Sequence, residues 1–181
     1  MKFAIMIAFT ALTVQAASTA GDAPLKLDRE AFSKASFTVD NGFRILWPDY
    51  PLELVGVTQT VYIKGYGAVL AGEVNLAPGL NINPFHPTIT KDDIARTRIK
   101  KVERMPGFRT AMQDLLVKSA VELHGVPDNE EVALAISLFY WHWEDRGGLP
   151  DQIVMHGTRK ALVDAAHDKA ALASVVRIDE F

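Results

Sequence analysis

His142 and Glu144 stand two residues apart, and His156 follows a short distance downstream. Imidazole, carboxylate and imidazole make a known zinc set, and a hydrolytic zinc needs three protein ligands plus an open coordination position. If 131–143 is a strand, His142 and Glu144 point to the same side of it. His156 then lies on the strand that pairs back. A turn centred near Gly147-Gly148 sets Trp141 and His142 opposite Val154 and Ile153, which leaves His156 nearer Phe139 and off register. The spacing allows a metal site without indicating one. The plain alternative is a strand end with an amphipathic aromatic rim, so these three residues stand as weak metal candidates only.

Other chemistries find less. The chain has no cysteine, no Gly-x-Ser-x-Gly, and no serine at a strand-to-helix elbow. A glycosidase needs two convergent carboxylates, and nothing in the sequence brings Glu73, Glu144 and Asp145 together. His86 sits in a proline-rich loop and reads as a loop residue. Gly65-Tyr66-Gly67 lacks the third glycine and the helix that a dinucleotide fingerprint requires, so it reads as a turn or bulge and no cofactor is expected.

Two surfaces could bind. Residues 91–109 carry seven cations against three acids in a chain of net charge −3. Arg96, Arg98, Lys100 and Lys101 on such a helix could attract an anionic surface or an acidic partner. The bland reading is a solvated helix face. Phe139, Tyr140, Trp141 and Trp143 form an aromatic cluster that is core by default. Where Trp141 or Trp143 stays exposed, it offers a protein contact or a platform for a sugar ring. The mild acidity and the lack of interleaved aromatic residues argue against nucleic acid.

The elements that must position these residues read as follows. Residues 21–36 form a loose arm, with a helical turn near Asp28 to Lys34. Asn41-Gly42 between β-prone runs predicts a tight hairpin joining 36–39 to 43–47. Residues 55–63 and 68–76 alternate and form an antiparallel pair around the Lys64–Gly67 turn. Thr90 caps a short helix over 91–102. Pro106 opens a second helix with an apolar stripe from Phe108 to Leu123, ended by Gly125. Residues 131–143 are apolar on both faces, the pattern of a central strand covered on both sides. Residues 152–156 pair back, Thr158 caps a further helix, and 174–178 add an edge strand. Strands followed by helices argue for α+β: one domain over 37–181, mostly antiparallel, with two or three helices packed on the sheet.

The address comes from the N-terminus. Met1-Lys2, the twelve apolar or small residues Phe3 to Val14, and the sites ending at Ala16 and Ala20 have the layout of a secretory signal peptide over 1–20. The run is short of the roughly 20 residues that span a bilayer, so no integral span is expected after cleavage. Loss of Lys2 takes the net charge from −3 to −4. Apolar and charged contents of 49% and 23% match a globular chain, and without disulfides the fold must rest on apolar burial.

Tyr62 to Val69 (YIKGYGAV) and Ser137 to Ile153 (SLFYWHWEDRGGLPDQI) resemble a group of secreted bacterial proteins of no assigned function. The resemblance implies a single exported domain, periplasmic or extracellular, and carries over no catalytic or binding residue. The expectation is therefore an exported, non-enzymatic binding or scaffolding domain of the bacterial cell envelope, with an envelope protein or an anionic surface as partner. The alternative is a metal-assisted or carboxylate-based hydrolase acting on an envelope or extracellular polymer.

Overall fold

A computed structural model describes residues 28–79 and 88–181; residues 1–27, over which a leader and part of the loose arm were expected, and His86 lie outside them. The first element overturns two expectations. Arg29–Arg44 is one helix, α1, capped by the Asp28 carboxylate, which accepts from Glu30 N at 2.9 Å. It replaces both the C-terminal part of the loose arm and the Asn41-Gly42 hairpin. Ala31, Ala35, Val39 and Phe43 recur every four residues and are buried, so the helical period wins over the local turn signal. Gly42 is there for contact: a Cβ on it would lie 2.3 Å from Leu115 Cδ2.

The two helices expected over 91–102 and from Pro106 onward are one helix, α2, Lys91–Glu122. Its start is as expected, with a Thr90–Asp93 capping box. Pro106 lies inside it, on the exposed side. Proline removes one backbone donor there. The buried stripe Thr97, Lys101, Met105, Phe108, Met112, Leu115 runs straight past it and holds the helix in one piece. Phe43 and Phe108 stack with ring centroids 5.2 Å apart, which ties α1 to α2.

The strands are β1 (Glu53–Leu54), β2 (Gln59–Ile63), β3 (Gly67–Asn75), β4 (Glu131–Leu138), β5 (Gln152–Thr158) and β6 (Arg177–Glu180). β1 and β2 both pair antiparallel with β3, interrupted at Gly56, whose φ is 96°. β3 and β4 run parallel, from Gly67↔Glu131 to Val74↔Leu138, with α2 between them in sequence. β4–β5 and β5–β6 are antiparallel. The sheet is thus mostly antiparallel around one parallel pair, in a single α+β domain. Short helices α3 (Arg159–Asp164) and α4 (Lys169–Val175) stand where one helix was expected, making four helices among the described residues.

One sheet face carries Ala68, Leu70, Val74, Val132, Leu134, Ile136, Ile153 and Met155, all fully buried in a core shared with α1 and α2. The other face carries no helix among the described residues. The expectation that helices cover β4 on both sides fails: on the second face Ala133 is buried, Ala135 and Ser137 are half-buried, and Val61 and Ile63 on β2, two strands away, are exposed.

The expected strand over 131–143 stops at Leu138. Phe139 N turns to Val74 O at 2.8 Å, beyond the end of the β3–β4 ladder, and residues 139–151 form a loop. No helix among the described residues is long and apolar enough to cross a membrane.

Candidate functional site

The loop after β4 is fastened to α2 by the residues that looked like a basic surface. Lys101 is not on a solvated face. It is 1% exposed, and its Nζ lies 2.5 Å from Glu144 Oε2, with both side chains 2% accessible. The same Nζ donates to Phe139 O at 2.8 Å and sits 4.3 Å from the centre of the Tyr140 ring. Burial lowers the lysine's pKa below its ordinary 10.5, and the Glu144 carboxylate opposes that shift. Glu144 Oε1 also accepts from Trp141 N at 3.1 Å. Tyr140 is pushed up to about 12, first by burial and then by Asp151 and Glu144, and its hydroxyl donates to Pro150 O at 2.8 Å.

The neighbouring cations do similar work. Arg98 donates to Gly147 O at 3.1 and 2.6 Å and faces Asp145. Arg96 pairs with Asp93 one turn earlier. Lys100 stands 3.9 Å over the Tyr50 ring. Arg104 donates to the carbonyls of Tyr50 and Leu76 and lies over the Trp47 ring at 4.5 Å. Arg109 grips Glu180 of β6 at 2.6 and 2.9 Å. The basic stretch is therefore largely a row of clamps that hold loops and strand ends against α2.

These clamps shape a groove. Strands β3 and β4 end together, and past their carboxyl ends lies an open cavity of about 620 Å³ lined by Tyr50, Pro51, Glu53, Asn75, Pro78, Gly79 and Trp141. Crevices outside the carboxyl ends of parallel strands are common ligand sites in open sheets. Asn75 Nδ2 donates to Glu53 Oε2 at 3.3 Å, and Asn75 Oδ1 accepts from Ala77 N at 3.2 Å. Trp141 and Tyr50 stay 39% and 37% exposed. Trp141 is braced edge-on by Phe139, with centroids 5.0 Å apart. Tyr50 donates its hydroxyl to Pro78 O. Gly79 has a φ of 143°, and a Cβ on it would lie 2.4 Å from that hydroxyl. Behind Tyr50 is a smaller cavity of about 170 Å³ that Arg96 and Lys100 help to line.

The metal candidates are not brought together. His142 is exposed in the loop, and Glu144 is committed to Lys101. His156 pairs with Ala133 near the start of β4, about 17 Å of strand from Leu138. Its ring nitrogens lie 3.2 Å from Glu131 and 3.3 Å from Asp179. Among the described residues no group of three or more His, Cys, Asp or Glu side chains is placed to hold a metal ion.

Of the binding candidates, Trp141 stands on the groove, Arg96 and Lys100 stand behind it, and Trp143 is half-buried. Sequence reading missed Tyr50, Glu53 and Asn75. Pro48 and Pro51 marked a break there, but no spacing linked that break to Trp141, which lies some ninety residues away. Comparisons with protein-family models, curated proteins and solved structures find no match for this chain.

Proposed function

We propose that the chain is an exported, non-enzymatic binding domain of the bacterial cell envelope, and that it takes a sugar chain in the groove past β3 and β4. The observation that carries the reading is Trp141, half in water over a cavity that also presents the Glu53–Asn75 pair. An indole face suits the apolar C–H face of a sugar, and a carboxylate with an amide can accept from and donate to its hydroxyls. The leader-like residues 1–20 supply the export part of the reading.

Titration of the purified chain with soluble cell-wall glycan fragments tests the ligand, followed by calorimetry. Saturable binding that loses about 2 kcal/mol in Trp141→Ala, the scale of an aromatic hot spot, is the expected result. Binding that is absent, or indifferent to that substitution, rejects the groove. Export is tested by the mass of the chain recovered outside the cytoplasm. A mature N-terminus after Ala16 or Ala20 is expected, and retention of the full-length chain in the cytoplasm overturns it.

A further inference from the structure

We propose that the sugar chain taken by the groove is an acidic one, and that the small cavity behind Tyr50 receives its carboxylate. This rests on the groove reading and names the class of glycan. Tyr50 and Gly79 line both cavities, so a chain seated against Trp141 has the second cavity beside it. At about 170 Å³, that cavity has room for one acidic substituent and a few waters, each water taking about 30 Å³.

Charge distinguishes the two cavities. Arg96 and Lys100 stand one turn apart on α2, and both line the small one. Asp93 lines it too, but it is 2% exposed and its carboxylate is fully engaged. Its Oδ2 accepts from Thr90 N at 3.0 Å and from Thr90 Oγ1 at 2.7 Å, and its Oδ1 accepts from Arg96. Asp93 therefore matches Arg96 and leaves Lys100 over. Among the described residues no carboxylate or carbonyl takes up the Lys100 ammonium, which stands 3.9 Å over the Tyr50 ring. A ring face steadies an ammonium without neutralising it. The Arg96 side chain stays 70% accessible and has donors beyond the one that holds Asp93.

The small cavity thus presents one unmatched positive charge together with spare N–H donors. That suits a carboxylate, a monoanion, better than a phosphate monoester, which brings nearly two charges. The groove end is unlike it. There Glu53 stands with Asn75, which suits neutral hydroxyls and disfavours an anion. Asp49, Asp92 and Glu103, acids near in sequence, line neither cavity. An acidic sugar is therefore oriented as well as held, with its ring at Trp141 and its carboxylate toward Lys100.

The test compares peptide-free cell-wall glycan strands, whose lactyl carboxylates are free, with the same strands capped as methylamides. Calorimetry of the purified chain at about 50 mM salt, where the Debye length exceeds about 10 Å, reads both affinities. The free acid should bind about tenfold more tightly, the scale of one hydrogen bond to a charged group. Lys100→Gln should bring that ratio close to one with the circular dichroism unchanged, and Lys100→Arg should keep most of it. Lys118→Gln, about 27 Å farther along α2, should leave the ratio alone. Salt at about 500 mM should shrink it. Equal affinities for the two strands, or a ratio that Lys100→Gln leaves unchanged, overturn the acidic subsite while the groove stands. Inorganic phosphate that displaces the free acid where acetate does not would also overturn the carboxylate, in favour of a phosphate-bearing sugar. Strands that bind in neither form reject the groove itself.

Discussion

Lys101 and Glu144 set the energetics of the loop that carries Trp141. Their contact lies out of water, so removing one partner strands the other charge. Lys101→Met keeps the apolar stem against Tyr140 and removes only the charge. It should cost about 3–5 kcal/mol in urea unfolding, the range for a broken buried pair. Adding Glu144→Gln, which retains the acceptor for Trp141 N, should recover a large part of that loss; single losses that simply add would show the pair is not coupled. Tyr140 gives the pH dependence. A phenol unfolded near 10 and folded near about 12 stays protonated longer in the native state. Above pH 10 the unfolded chain sheds this proton first, so stability falls between pH 10 and 12. Lys101 acts with the opposite sign just below 10.5, where the unfolded chain still holds the proton that burial loosens in the fold. The two are separable in Tyr140→Phe, whose stability should decline less over pH 10–12 than that of the unmodified chain. An equal decline would remove Tyr140 from the account.

The elements depend on close approach at two glycines, and here sequence reading divides cleanly. Gly67 was legible as a turn or bulge, and its φ of 133° agrees. What could not be read is that a Cβ there would lie 1.9 Å from Glu131 O, in the backbone of the neighbouring parallel strand. Gly67→Ala should therefore destabilise by more than about 2 kcal/mol, since strain at a positive φ adds to a backbone clash. A change below about 0.5 kcal/mol, the level of ordinary surface substitutions, would contradict that pairing. Gly42 misled for the same reason. Asn41-Gly42 carries a real local hairpin preference, but tertiary contact with Leu115 uses the glycine inside a helix. The β2–β3 hairpin, the Thr90 cap and the α2 stripe were readable because each is decided within a few residues. The split at Pro106 was not real, because the apolar stripe on both sides outweighs one lost backbone bond. The end of β4 was missed because Phe139 N and Phe139 O bond to β3 and to Lys101, partners far away in sequence.

At the scale of the whole molecule the groove is a product of distant pairings. The parallel ladder joins Gly67 to Glu131, and only that ladder brings Glu53 and Asn75 beside Trp141. Trp141 was visible in the sequence as an aromatic residue, whereas its neighbours had no period or motif to announce them. The same geometry yields a test of how the loop is coupled to the core. All three tryptophans mark one end of the sheet: Trp47 packs on Arg104, which bonds Leu76 just past β3, and Trp141 and Trp143 follow β4. Tryptophan fluorescence therefore reports on the groove end, while far-ultraviolet circular dichroism reports on all helices and strands. With Lys101–Glu144 in place, that end shares the single core, so the two signals should unfold in one coincident transition. Lys101→Met uncouples the loop, and fluorescence should then change at a lower urea concentration than circular dichroism. Transitions that coincide in both proteins would mean that the loop is held by its other contacts, Arg98 to Gly147 and Tyr140 to Pro150, and that the buried pair adds stability without fastening the site. Transitions already separate in the unmodified chain would mean that the groove end is a weaker unit than one shared core allows.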